Sequence, residues 1–268
     1  MNATFETVMS PDGSTIAYQA LGTGPTVILV GGAYNDRSTV AGLAEVLSSD
    51  FTAIAYDRRG RGDSTDSGDG ETELVEKEVA DLAALIDAVG GSAGLFGHSS
   101  GAVLAFEATQ RGLPVPKLAL YEAPYALPGS RPLPPHDVPE RMRDLVRADK
   151  RDEAATLFFT ESVGVPAAAV DGMRADPSWG WFAGLAHSLP YDVALTGRDL
   201  RLPTERLATI GVPTLAIAGA NGFDWMRATM RAIADAVPGA EFVSLAGQDH
   251  SVLQQPEALR EVLTDFFK

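Results

Sequence analysis

Residues 92–110 read SAGLFGHSSGAVLAFEATQ, and the fold turns on this stretch. An apolar run, Ser92–Phe96, meets Gly97-His98-Ser99-Ser100-Gly101, and a helical pattern, Gly101–Gln110, follows at once. A strand that turns straight into a helix leaves little room beside the turn residue, so glycines flank the serine. The same tight turn lifts the Ser99 hydroxyl out of the sheet and aims the next N–H groups at the same space. Gly and Ser are common, so the string alone is weak evidence; its place between strand and helix marks Ser99 as a candidate nucleophile.

Outward from this turn, short apolar runs alternate with amphipathic segments. Thr4–Met9 and Thr15–Ala20 flank Pro11-Asp12-Gly13 and read as a hairpin. The runs Thr26–Val30, Thr52–Tyr56, Ser92–Phe96, Leu118–Tyr121, Thr214–Ala218 and Glu241–Leu245 are rich in Val, Ile, Leu and Ala. Such runs suit parallel strands covered on both faces. Helical patterns over Val40–Leu47, Glu71–Val89, Gly101–Gln110, Trp225–Val237 and Pro256–Phe267 separate them. This alternation predicts an α/β domain with a mostly parallel sheet.

The rhythm breaks between Ala126 and Leu207. A proline-rich linker, Leu127–Pro135, leads into helical stretches near Glu140–Ala148, Arg151–Glu161, Ala167–Arg174 and Trp181–Leu189. A block this long without a strand is no loop. The expected organisation is therefore a core of residues 1–125 and 208–268, with residues 126–207 inserted as a helical cap.

Composition narrows the chemistry. The 268 residues include no cysteine, which excludes disulfides, thiolate metal sites and a cysteine nucleophile. Four histidines leave little material for a His-rich metal site. A net charge of −15 disfavours nucleic acid and anionic membranes and reads best as a solvated acidic surface. No run approaches the length of a membrane span, and MNATFETVMSPDG lacks the basic start and apolar core of a signal peptide. A soluble cytoplasmic protein is the expectation.

A serine nucleophile needs a base. His250 lies in Leu245-Ala-Gly-Gln-Asp-His250, just after the last strand and at the sheet edge where catalytic groups gather. His98 sits inside the turn and reads as packing, and His136 lies in the linker with no role. His187 is a candidate pocket wall in the cap, with packing or surface as the competing reading.

The order of hairpin, Val30-Gly31-Gly32-Ala33 loop, Asp57-Arg-Arg-Gly-Arg-Gly-Asp-Ser64, Gly-His-Ser-Ser-Gly turn, helical insert and late histidine resembles the α/β-hydrolase superfamily. The resemblance spans essentially the whole chain. It implies a mostly parallel eight-stranded sheet flanked by helices, with Ser99 as nucleophile and His250 as general base. It also implies an oxyanion hole from the N–H groups of Ala33 and Ser100. The superfamily's usual His-Gly is Gly31-Gly32 here, a change that backbone donors tolerate.

The third member of the triad departs from the family pattern. Its usual place, three residues beyond Gly219, holds Gly222, with Asp224 two residues later. Glu122, in Glu122-Ala123-Pro124 after the strand Leu118–Tyr121, is the favoured acid, and Asp224 the alternative. Asp249 adjoins its own histidine and is poorly placed to reach the ring. A strand-end acid paired with a surface arginine is the ordinary reading of Glu122. Acids in this position occur in certain haloalkane dehalogenases and in zearalenone-type lactone hydrolases. The former need a carboxylate nucleophile, so Ser99 favours the latter.

These features predict a serine hydrolase acting on a small, largely apolar ester or lactone through an acyl-enzyme, without metal or organic cofactor. Gly32, Tyr34, Trp181 and His187 are the candidate substrate contacts. The alternatives are a lyase or other cofactor-free reaction in the same pocket, or a small-molecule receptor with slow turnover.

Overall fold

In the computed structural model, residues 5–68 and 72–268 are described. The sheet comprises β1 (Glu6–Met9), β2 (Thr15–Leu21), β3 (Thr26–Val30), β4 (Thr52–Tyr56), β5 (Gly94–His98), β6 (Leu118–Tyr121), β7 (Thr214–Gly219) and β8 (Glu241–Leu245). Their order is β1-β2-β4-β3-β5-β6-β7-β8. β1 and β2 pair antiparallel, as does β2 with β4, and every later pairing is parallel. Thr4 and Glu71, the expected first residues of a strand and a helix, lie outside the described residues.

Helices cover both faces. α1 (Arg37–Leu47), α2 (Leu74–Ala88) and α3 (Ser100–Gln110) lie among the early strands. The insertion carries α4 (Val138–Arg147), α5 (Arg151–Leu157), α6 (Ala167–Arg174), α7 (Trp179–Leu185), α8 (Leu189–Thr196) and the short α9 (Thr204–Leu207). α10 (Asp224–Ala236) and α11 (Arg260–Phe267) complete the chain. One core packs Leu82, Leu85, Val103, Phe106, Met230 and Ile233 of α2, α3 and α10 on the sheet. On the other face, Val40, Leu43 and Leu47 of α1 meet Leu263 and Phe267 of α11. Sheets covered in this way have almost no polar positions, and β5 and β6 are buried at every residue.

The structure moves some element ends. β5 runs to His98, two residues past the expected end, because its pairing continues through Val30↔Gly97 and His98↔Tyr121. α1 starts at Arg37 rather than Val40, since the Asp36 carboxylate caps the Ser38 and Thr39 N–H groups. The expected Arg151–Glu161 helix is α5 followed by a π-helical turn, Phe158–Val163. That wider turn brings the consecutive rings of Phe158 and Phe159 within 5.4 and 5.2 Å of the Tyr34 ring.

Two features place the site. The chain grows toward β4 on one side of β3 and toward β5–β8 on the other, so the loops after β3 and β5 adjoin at the point of reversal. The insertion leaves after β6 and returns before β7, and its two ends meet in a parallel bridge between Ala126 and Arg201. Its own core of Val138, Met142, Leu157, Trp179 and Leu189 includes Tyr34 from the loop after β3. The insertion is thereby seated over the sheet's C-terminal edge.

Candidate active site

Ser99 adopts φ 58° and ψ −127°, a conformation L residues rarely enter. The surroundings enforce it. The Ser99 N–H donates to Tyr121 O at 2.9 Å, and the Ala102 N–H donates to Ser99 O at 2.9 Å. A Cβ on Gly97 would stand 2.5 Å from the Ala102 Cα, and one on Gly101 2.2 Å from the Val30 carbonyl oxygen. The flanking glycines are thus needed for close approach, and the turn projects the Ser99 hydroxyl from the sheet edge.

Two side chains from distant loops converge on that hydroxyl. His250, after β8, places Nε2 at 3.1 Å from Ser99 Oγ and Nδ1 at 2.7 Å from Glu122 Oε2. With the proton on Nδ1 the ring donates to Glu122, and Nε2 accepts from the serine hydroxyl. Glu122 is 0 % exposed, and its second oxygen accepts the Gly219 N–H at 2.9 Å. It takes a left-handed φ of 46°, bending the chain as it leaves β6.

The other acids stand elsewhere. The Asp224 carboxylate is 94 % exposed and pairs with Arg227 on its own helix. Asp249 spends its carboxylate on the Ser251 N–H at 2.8 Å and the Ser251 hydroxyl, while its carbonyl accepts from Tyr121 Oη at 2.6 Å. The arrangement thus brings together Ser99, His250 and Glu122 and leaves Asp224 outside.

His98 does more than fill space. Its Nε2–H donates to the His250 carbonyl at 2.9 Å, and its ring stacks on Tyr121. Burial, reinforced by the neighbouring His250, pushes the His98 imidazole down to about 3, so it is neutral and anchors the loop after β8. Its position inside the turn signalled proximity, but nothing local signalled the bond to a residue 152 positions away.

The loop after β3 lies directly over the serine. A Cβ on Gly32 would come within 2.8 Å of Ser99 Cβ. Ser100 opens α3, so its N–H has no partner within the helix. Among the described residues the Ala33 N–H makes no hydrogen bond either. Two unspent amides thus belong to residues on either side of Ser99.

The remaining candidates divide. Trp181 is 45 % exposed and donates Nε1–H to the Tyr34 carbonyl at 3.1 Å, so it lies on the loop that carries Ala33. The Tyr34 side chain is instead buried among Phe158, Phe159 and Phe182, making it part of the insertion's core. His187, a candidate pocket wall, is engaged otherwise: Nε2 donates to the Gly60 carbonyl at 2.5 Å, and Nδ1 lies 3.0 Å from the Gly184 carbonyl. It joins the insertion to the loop after β4. A cleft of about 780 Å³ opens at the insertion's stem between Ala126–Gly129 and Leu202–Arg206, and none of the converging residues lines it.

Between the insertion and the core lies a buried ionic cluster that sequence reasoning passed over. Arg58 forks onto Glu78 with both bonds at 2.6 Å. Arg58 and Arg61 share Asp192 of α8, each at 2.7 Å. The available signal was the unusual pair of arginines in Asp57-Arg-Arg-Gly-Arg-Gly-Asp-Ser64. Among the described residues no group of three or more His, Asp or Glu is disposed to hold a metal ion, and no helix is long and apolar enough to cross a membrane.

Residues 27–262 match the alpha/beta hydrolase family. An alpha/beta hydrolase from Sphaerobacter thermophilus superimposes with a TM-score of 0.90 at 46% identity, over 98% of this chain and 100% of that one. The enol-lactonase from Burkholderia xenovorans LB400 superimposes with a TM-score of 0.72 at 21% identity, over 98% and 99% of the two chains, a likeness of fold alone. An uncharacterized hydrolase of Bacillus subtilis, YraK, is 34% identical over 96 residues, which is 35% of each chain. The match therefore spans about a third of that relative's length.

Proposed function

The chain belongs to the alpha/beta hydrolase family, and from that premise we propose that it is a serine hydrolase of small, largely apolar carboxylic esters or lactones. The observation that carries this reading is the continuous relay Ser99 Oγ–His250 Nε2 at 3.1 Å and His250 Nδ1–Glu122 Oε2 at 2.7 Å. His250, held in the Nδ1–H tautomer by Glu122, takes the Ser99 proton as the oxygen attacks the carbonyl carbon. The Ala33 and Ser100 amides receive the developing oxyanion. Collapse of the tetrahedral intermediate releases the alcohol, protonated by His250 and still tethered when the substrate is a lactone. Water then attacks the acyl-enzyme through the same base and frees the acid.

The Glu122 acid in place of one after β7 favours, within this family, a kinship of mechanism with zearalenone-type lactone hydrolases. The net charge of −15 offers no attraction to anionic substrates, consistent with a neutral ester or lactone. The exposed indole of Trp181 beside the Ala33 loop suits an apolar substrate face.

A fluorophosphonate probe with mass-spectrometric site mapping tests the nucleophile. Stoichiometric labelling of Ser99, abolished by Ser99→Ala, is expected; a folded protein that stays unlabelled overturns the reading. A panel of p-nitrophenyl esters of graded length, beside small and macrocyclic lactones, then defines the substrate. Labelling without turnover on the whole panel would favour a receptor or a non-hydrolytic reaction.

A further inference from the structure

Asp192, on α8 of the insertion, is 3 % exposed and is tied to Ser100 directly and to the loop after β3 through Arg61. Its Oδ1 accepts from the Ser100 hydroxyl at 2.7 Å and from Arg58 Nη1 at 2.7 Å. Its Oδ2 accepts from Arg61 Nη2 at 2.7 Å. Arg61 donates onward through Nη1 to the Gly32 carbonyl at 2.6 Å and the Asn35 carbonyl at 3.1 Å, while Nε donates to Ser188 of the insertion at 3.0 Å. Arg58 Nη1 also reaches the Gly31 carbonyl at 3.2 Å.

Peptide geometry gives these contacts a direction. In a trans peptide the C=O of one residue and the N–H of the next share a plane and point opposite ways. A guanidinium that holds the Gly32 oxygen therefore fixes where the Ala33 N–H points, away from Arg61. On the other side, the bond from the Ser100 hydroxyl to Asp192 tethers the residue that carries the second donor N–H.

We propose that Asp192 is a positioning residue that aims both oxyanion donors, so that the oxyanion hole is complete only while the insertion is seated on the core. This rests on the reading of Ala33 and Ser100 as those donors. The charge arrangement makes Asp192 hard to replace. Arg58 keeps Glu78 as a second partner, whereas Asp192 is the only carboxylate paired with Arg61 among the described residues. Burial works to raise the Asp192 carboxyl, yet Arg61 and Arg58 overcome it and hold the group below the usual carboxylate range. Arg61 is itself pulled down by burial and by the neighbouring Arg58, so the pair depends on the shared anion.

The test is Asp192→Asn assayed on a p-nitrophenyl ester, together with inhibition by an aryl trifluoromethyl ketone, whose adduct with serine carries an oxyanion. The expected result is a kcat lowered about ten- to hundred-fold with KM within about twofold, and ketone affinity weakened by a similar factor. A purely structural role predicts lower thermal stability with kcat and ketone affinity retained, and that outcome overturns the proposal, as does a loss confined to KM. Should Asp192→Asn fail to fold, Ser100→Ala carries the test, because it removes the bond to Asp192 and leaves every charge paired. There a kcat and ketone affinity equal to wild type overturn it. Wild-type protein with neither ester turnover nor Ser99 labelling would instead sink the hydrolase reading itself.

Discussion

A Cβ on Gly222 would stand 3.0 Å from Oε1 of Glu122. Gly222 occupies the position, three residues beyond Gly219, where the family ordinarily carries the acid of its triad. The Glu122 carboxylate reaches this space from the end of the neighbouring strand, and the Gly219 N–H that opens the loop donates to it at 2.9 Å. Two strands thus offer routes to one carboxylate site, and here the glutamate fills it while the glycine leaves it clear.

Replacing Glu122 by Gln removes the charge that orients the imidazole and offers an amide that competes for the wrong tautomer. We expect Glu122→Gln to lower kcat on an activated ester by about 10³- to 10⁴-fold. Asp224→Asn, on an exposed carboxylate paired with Arg227, should stay within about twofold of wild type. Steady-state kinetics of both variants decides the matter, and a large loss in Asp224→Asn would move the acid to α10.

The shared space has a sharper consequence. Glu122→Ala vacates the carboxylate site, and adding Gly222→Asp supplies an acid from the other strand. The double variant should run at least about tenfold faster than Glu122→Ala alone. Gly222→Asp by itself should be slower than wild type, since two carboxylates would crowd one buried site. A double variant no faster than Glu122→Ala would show that the two routes do not converge.

His98 predicts a pH dependence of stability. Its value falls from 6.5 to about 3 on folding, so between these limits the unfolded chain binds a proton that the folded chain refuses. The contribution is therefore fully present above pH 6.5 and drains away as pH drops toward 3, at about 1.4 kcal/mol per pH unit. Urea unfolding at pH 7, 6 and 5 should show a shallower acid decline in His98→Gln than in wild type. Parallel declines would contradict a buried neutral imidazole.

Two glycines should respond in opposite ways to alanine. At Gly101 the new methyl would meet the Val30 oxygen at 2.2 Å and the Gly31 oxygen at 2.6 Å, backbone atoms with no flexible side chain to yield. We expect Gly101→Ala to lose at least about 3 kcal/mol by denaturant titration. Gly172 lies within α6 with nothing within 4 Å of an added Cβ. There alanine should add about 0.5–1 kcal/mol through helix propensity and a less flexible unfolded chain. Matching effects at the two positions would refute the steric account of the turn.

Much of the fold was legible because it is written in local periodicity. Short continuous apolar runs such as Leu118–Tyr121, alternating with amphipathic segments, suit strands buried on both faces, and the break from Ala126 to Leu207 announces an insertion without strands. Element ends were less legible, because pairing and capping set them. β5 extends through His98 since its neighbours continue to pair, and Phe158–Val163 widens to a π turn where the insertion packs on Tyr34. Trp181 and Tyr34 could be named as aromatic candidates, but which ring faces solvent and which is buried depends on how the insertion sits.

Ser99 and His250 stood out in the chain because each lies at the end of a strand pattern, next to glycine or at the last sheet edge. The choice between Glu122 and Asp224 was not local: both follow strands on the same edge, and only the register of β6 beside β7 brings the first under the histidine while the second starts an exposed helix turn. Asp192 carried still less signal, standing 134 positions from Arg58 and 92 from Ser100. Hydrophobic period and turn chemistry act over a few residues, so they specify strands, helices and the strained serine turn. The pairing of buried charges is settled when distant segments lose water together, and their partners emerge only once the chain has packed.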